Sequence, residues 1–147
     1  MVYAAAIGLL VVQFLIQMVL QDRSDTTDAL AAASVGDSMV ILDNYAAAYA
    51  EQHPTFTGAA TATLIGLPSW FNAAPFVSSY IQTGHAYTYY TGSVQGVEGY
   101  LSQKMQNGYA VGTNNHGVLA SATLPAAATA TSTIPSAIPS GSVMYMP

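Results

Sequence analysis

Hydrophobic and polar positions divide the chain into three stretches with different grammar. Met1 to Gln21 contains no charged side chain, and Leu9, Leu10, Val11, Val12, Phe14, Leu15, Ile16, Met18, Val19 and Leu20 make it densely apolar. As a helix it would extend roughly 30 Å, enough to cross a bilayer. Asp22-Arg23-Ser24-Asp25 ends the run at once. From Thr26-Thr27-Asp28 to Gln52 the sequence is Ala-rich, with Leu30, Ala33, Met39, Leu42, Tyr45, Ala46 and Tyr49 at mostly three- and four-residue intervals. That spacing predicts an amphipathic helix. Gly36 weakens its middle, and His53-Pro54 ends it, because the residue before proline is pushed out of helical angles. The two helices are expected to be nearly continuous.

Beyond Pro54 the pattern shortens. Thr55 to Leu67 is rich in Thr, Ala and Gly, and Leu67-Pro68-Ser69-Trp70-Phe71-Asn72-Ala73-Ala74-Pro75-Phe76-Val77 reads as an apolar loop. Ala86 to Thr91 alternates small and aromatic residues and predicts a strand. Ser93 to Gln106 predicts a short helix with Val94, Val97, Leu101 and Met105 on one face, stopped by Asn107-Gly108. Tyr109 to Gly112 and Gly117 to Ala122 predict two further strands. Residues 125–142 are mostly Pro, Ala, Ser and Thr and read as an extended linker that crosses the surface. Val143 to Met146 would then return as a last edge strand. The expected fold is α+β: a transmembrane anchor at 1–21, an amphipathic stalk helix at 22–53, and at 54–147 a small, mainly antiparallel sheet with a short helix.

Charge sharpens these boundaries. Lys, Arg, Asp and Glu make up only 6% of the 147 residues, with a formal net charge of −5. Six of the seven acids and one of the two bases lie between Asp22 and Glu51; the others are Glu98 and Lys104. Two basic side chains cannot neutralise a row of phosphates, which argues against nucleic-acid binding and against a polybasic grip on anionic lipid. The absence of cysteine excludes disulfides, thiolate metal sites and Cys nucleophiles. A cleaved signal peptide is the competing reading of the first stretch. It lacks a Lys or Arg ahead of the apolar run, and its small-residue site arises only at Ala31-Ala32-Ala33. With no basic cluster to retain the C-terminal part in the cytoplasm, the expected location is the bacterial inner membrane, single-pass, with that part periplasmic.

The polar residues inside the apolar run carry information of their own. Gln13, Gln17 and Gln21 recur every four residues and share one helical face. An amide facing hydrocarbon alone is costly, so this face is expected to meet another transmembrane helix, each amide pair contributing about 1 kcal/mol.

Candidate chemistry is sparse. Gly92, Gly96 and Gly99 miss the spacing of a dinucleotide fingerprint, and no phosphate loop, nucleophile elbow or paired-His helix occurs. No cofactor, metal or small-molecule substrate is indicated. His53, His85 and His116 are far apart in sequence, and Glu98 is the only carboxylate after Glu51, so a catalytic site is not expected. Glu98 and Lys104, six residues apart, do not suit a helical ion pair. Trp70, Phe71, Phe76, Tyr87, Tyr89 and Tyr90 form the largest aromatic concentration. Most of it is expected to be core; the alternative is that Trp70, Phe71 and Phe76 form a protein interface, which the low charge of this part favours.

An apolar first helix, an Ala-rich extension and a small α+β part resemble the layout of type IV pilins. A processed pilin, however, has a basic leader and a Glu five residues into the mature chain, whereas Gly8 is followed there by Gln13. The start at Met1 to Gln21, the Leu67-Pro68-Ser69-Trp70 loop, the segment Ala86 to Tyr90 and the closing Ile138-Pro139-Ser140-Gly141-Ser142-Val143-Met144-Tyr145 resemble the PilM family of conjugative type IVb (thin) pilus systems. The actin-like protein that shares that name is unrelated, and its nucleotide site has no counterpart here. The resemblance implies a non-enzymatic inner-membrane part of the pilus basal body or pilin transport apparatus, with pilin or other assembly proteins as partners. A minor pilin-like subunit of the fibre is the alternative. A secreted enzyme is a third reading, which predicts cleavage near Ala33 and activity dependent on His85 or His116.

Overall fold

The computed structural model describes residues 2–105, 111–121 and 133–146, with the backbone alone for 2–25. Helix α1 runs unbroken for 51 residues, Val2–Gln52. No proline interrupts this span, and Ala-rich turns favour it. At its end the His53 N–H donates to the Tyr49 carbonyl at 3.0 Å, and the imidazole stacks on the Tyr49 ring at 4.1 Å. The side chains of the expected anchor, 1–21, lie outside the described residues; among the described residues no helix is long and apolar enough to cross a membrane.

After α1 come β1 (Thr57–Ala59), β2 (Val77–Gln82), β3 (His85–Tyr90), helix α2 (Val97–Met105), β4 (Val111–Asn115), β5 (Val118–Ala120) and β6 (Val143–Tyr145). The strands form one antiparallel sheet in the order β1-β2-β3-β6-β4-β5. The hairpins β2–β3 and β4–β5 close through Thr83-Gly84 and His116-Gly117, all four with positive φ. This is the two-residue turn whose twist matches that of the strands.

β3, α2 and β5 lie where the pattern predicts them, within a few residues, and so does β4 where it is described. β2 is not legible in the sequence because Ser79 takes an inward position between Val77 and Ile81 and breaks the apolar alternation. The predicted edge strand at the C-terminus is instead interior. β6 lies between β3 and β4, with Tyr145 opposite both Thr88 and Val111. Both of its faces are covered: Met144 is fully buried on one side and Tyr145 is buried on the other. An edge position would leave one row of its backbone N–H and C=O groups unpaired, whereas β6 pairs on both sides.

One sheet face carries the main core. α1 packs over β2 and β3, and α2 over β4 and β6. Met39, Leu42, Ala46 and Ala50 of α1 meet Val77, Ile81, Tyr90, Val111 and Tyr145 of the sheet and Val97 and Leu101 of α2 in one cluster. Leu30, expected on the buried stripe, is 68% exposed, because it lies roughly half a turn around α1 from buried Ala32 and Met39, on the helix face turned away from the core. Gly36 serves the crossing of the two helices. A Cβ there would stand 2.5 Å from Tyr100 Cδ1, so only glycine permits this approach.

The other face is closed by residues 133–142, which form an ordered strap and not the free linker their composition suggests; 125–132 lie outside the described residues. Ile134 and Ile138 bury against Leu119 and Met144. Buried Asn114 of β4 ties the strap down. Its amide donates to the Ile138 and Pro139 carbonyls at 3.0 and 3.1 Å, and its Oδ1 accepts the Gly117 N–H at 2.8 Å. The Pro139 carbonyl also accepts the Ser142 hydroxyl at 2.7 Å, so the side chain of Asn114 and the strap's own serine together satisfy it.

Candidate functional site

The loop between β1 and β2 presents the aromatic residues singled out in the sequence. Its backbone is held at several points. Phe71 N–H donates to the Pro68 carbonyl at 2.9 Å, Val77 N–H to the Ala74 carbonyl at 3.1 Å, and Thr91 N–H to the Phe76 carbonyl at 3.1 Å. Ala74 N–H donates to the Ser38 hydroxyl of α1 at 2.8 Å, fastening the loop to the long helix. On this frame Trp70 and Phe76 are 75% and 67% exposed. Trp70 meets Phe71 edge-to-face at 6.1 Å, and Phe71 lies beside a groove shared with Ser34, Asp37, Ser38 and Ile41 of α1.

The expectation that most of this aromatic group is core therefore fails for Trp70 and Phe76. Tyr90 is buried, Phe71, Tyr87 and Tyr89 are half-buried, and the two largest exposed rings sit on the loop. Trp70 and Phe76 stand exposed on the loop fastened to α1, while Tyr87 and Tyr89 pack on the opposite, strap-covered face of the sheet. Phe76 also has φ = 66°, a left-handed conformation uncommon for an aromatic residue. Such a backbone costs about 1–3 kcal/mol and persists because the hydrogen bonds on either side over-determine it.

A second polar feature, not singled out from the sequence, lies under the sheet. Asp43 is 1% exposed. Thr88 of β3 donates its hydroxyl proton to Asp43 Oδ1 at 2.8 Å, and the Ser79 hydroxyl of β2 lies 3.2 Å from Thr88 Oγ1. Asp43 Oδ2 has no hydrogen-bond partner. Burial pushes this carboxyl up to about 7, the Thr88 bond working the other way. The facing phenol of Tyr145 is also raised, first by burial and then by Asp43. The signal was present in the spacing. Met39, Asp43, Ala46 and Ala50 follow one another at four, three and four residues, which places a carboxyl on the apolar stripe.

Elsewhere the charged groups pair across elements. Asp37 accepts hydrogen bonds from Tyr100, at 2.6 Å, and from Lys104, both on α2, and these hold its carboxyl below the usual range. Glu98 accepts the Thr113 hydroxyl at 3.3 Å. The expected lack of a Glu98–Lys104 pair agrees with these separate partners. His53 ends α1, His85 opens β3 and His116 turns the β4–β5 hairpin. Among the described residues no group of three His, Asp or Glu could hold a metal ion. Gln13, Gln17 and Gln21 fall in α1, with side chains outside the described residues.

A long N-terminal helix and a short one laid over one face of an antiparallel sheet, with aromatic rings turned outward on a fastened loop, define a helix-backed α+β protein. The PilM family model matches residues 7–146, and the chain belongs to that family, which is associated with pilus biogenesis. A crystal structure of a PilM protein from Escherichia coli B7A is similar, with TM-score 0.59 and 20% identity over 81% of this chain and 93% of that one. A pilM protein from Pseudomonas aeruginosa 2192 is similar at TM-score 0.50, with 24% identity over 78% of this chain and 93% of that one. These two likenesses speak to the fold. No curated protein matches the chain.

Proposed function

We propose that this protein is a non-enzymatic component of type IVb pilus biogenesis, held in the inner membrane by residues 1–21 with its sheet in the periplasm. It works by contact with pilin or other assembly proteins of a conjugative thin pilus. The observation that carries this reading is the outward placement of Trp70 and Phe76 on a loop fastened to α1 through Ser38. Large exposed rings on a backbone-fastened loop bring contact area, which is why Trp and other aromatics anchor protein interfaces. Gln13 and Gln17 supply the corresponding contact within the membrane. Membership of the PilM family supplies the pilus context.

The test is a photocrosslinking residue at position 70 in cells that build the pilus, alongside a Trp70→Ala, Phe76→Ala variant. Adducts with a pilus protein are expected, together with loss of assembly at unchanged abundance of the variant. Normal assembly by the variant would refute the loop's role. Fractionation with mass determination tests the anchor: full-length chain in the inner membrane is expected, and full-length chain in the cytosol would overturn it.

A second reading, a pilin-like subunit of the fibre, draws support from one feature: α1 continues unbroken for 51 residues while its later part packs on an antiparallel sheet. Cleavage after Gly8 in the mature protein would favour it over the anchored component.

A further inference from the structure

The joint between α1 and the sheet contains a carboxyl group with no charge partner. Asp43 projects from the buried stripe of α1 onto a row of inward-facing residues that crosses the sheet: Ser79 of β2, Thr88 of β3 and Tyr145 of β6, opposite one another in register. Asp43 Oδ1 accepts one hydrogen bond, and Oδ2 accepts none. Thr88 Oγ1 lies within hydrogen-bond distance of both Asp43 Oδ1 and Ser79 Oγ, and its single proton serves only one of them at a time.

The neighbouring groups cannot neutralise the charge. β2 offers the Ser79 hydroxyl, β3 offers Thr88 and Tyr90, and β6 offers Tyr145. The Tyr90 hydroxyl accepts the Val94 N–H at 3.1 Å, and the Tyr145 hydroxyl donates to Met105 Sδ at 3.3 Å. On α2, Glu98 is bonded to Thr113 and Lys104 to Asp37, so no basic group among the described residues is paired with Asp43. A carboxylate buried with one neutral hydrogen bond and no cation is strongly disfavoured, and the protonated acid is the form this cavity accepts.

We infer that Asp43 makes the α1–sheet joint a pH-sensitive clasp, tight while the carboxyl holds its proton and loosened when the proton leaves. The unfolded or opened chain carries an ordinary carboxyl near 3.8, and the closed joint carries one at about 7. The closed form therefore binds the extra proton, and opening becomes easier as pH rises through that interval. Above about 7 both forms are ionised and the effect levels off.

The test is carried out on the full chain in detergent micelles with carbon-13 labelled aspartate. A carboxyl resonance titrating close to pH 7, absent from Asp43→Asn, is expected. Hydrogen exchange of the peptide spanning Met39 to Ala50 should report an opening constant that rises with pH between about 4 and 7, by up to about tenfold per pH unit, the limit for one proton released. In Asp43→Asn, where the amide still accepts from Thr88 but carries no charge, that rise should vanish. Thr88→Val removes the one bond that favours the ionised form and should move the titration midpoint upward. A carboxyl that titrates below pH 5 would overturn the inference. So would the same pH dependence in wild type and Asp43→Asn. If Asp43→Asn fails to fold, an unmoved midpoint in Thr88→Val overturns it.

Discussion

Asp37 and Asp43 lie less than two turns apart on α1, yet their surroundings push them in opposite directions. Asp37 stands at the crossing with α2, half exposed, and accepts hydrogen bonds from Lys104 and Tyr100 that favour its charge. Asp43 stands at the joint with the sheet, where burial disfavours its charge and the single Thr88 hydrogen bond, with the other oxygen unpartnered, does not offset it. The same residue type thus strengthens one contact of the helix at neutral pH and weakens the other. What separates them is the neighbour across the contact. α2 brings a cation, whereas β2 and β3 bring hydroxyls.

The largest effect expected at either contact comes from the apolar part of the sheet joint. Ile81→Ala removes a fully buried side chain from the layer under α1 and should cost about 2–5 kcal/mol, measured by urea unfolding at fixed pH. The electrostatic part of the same joint comes next. Because the Asp43 carboxyl is raised in the fold, its cost is absent below the unfolded value near 3.8 and complete above the folded value of about 7. Stability should therefore fall as pH rises through that window, by at most about 4 kcal/mol, and Asp43→Asn should flatten the curve. Asp37 has the opposite sign. Its contribution is present above the ordinary carboxylate range and is lost as pH falls through its lowered value.

At the α2 crossing, Gly36→Ala forces a methyl group against the Tyr100 ring. It should destabilise by about 1–3 kcal/mol. In a Tyr100→Ala background the sign should reverse, because alanine is about 1 kcal/mol better than glycine within a helix. A thermal-melt cycle of the four proteins measures the difference. The smallest effect belongs to the ion pair itself: Lys104→Met should cost no more than about 1 kcal/mol in low salt and less in high salt, since both partners are well exposed. A larger, salt-independent loss would break the contrast between the two contacts.

The two helices differ from the sheet in how plainly their residues announce them. α1 ends where His53-Pro54 says it must, and α2 carries its predicted apolar face, with Val97 and Leu101 buried. The hairpin partner β2 is obscured by Ser79, whose inward position makes sense only beside Thr88 and Asp43. The aromatic loop was legible as a candidate interface, but spacing alone did not separate exposed Trp70 and Phe76 from buried Tyr90.

By itself the sequence determined the local periodicities: a long helix with a defined end, a short amphipathic helix, alternating strands, and a charge distribution with almost no basic groups. It also carried the family resemblance that the PilM match bears out. Only the tertiary structure decided that β6 is interior, that a Pro-rich strap closes the second sheet face, and that of two nearby aspartates one is paired and one is left without a charge partner. The physical reason is separation along the chain. Helical and strand spacing is written within a few residues, whereas Asp43 meets Thr88 across 45 positions, and the cost of a buried carboxyl depends on which groups the completed fold brings to it.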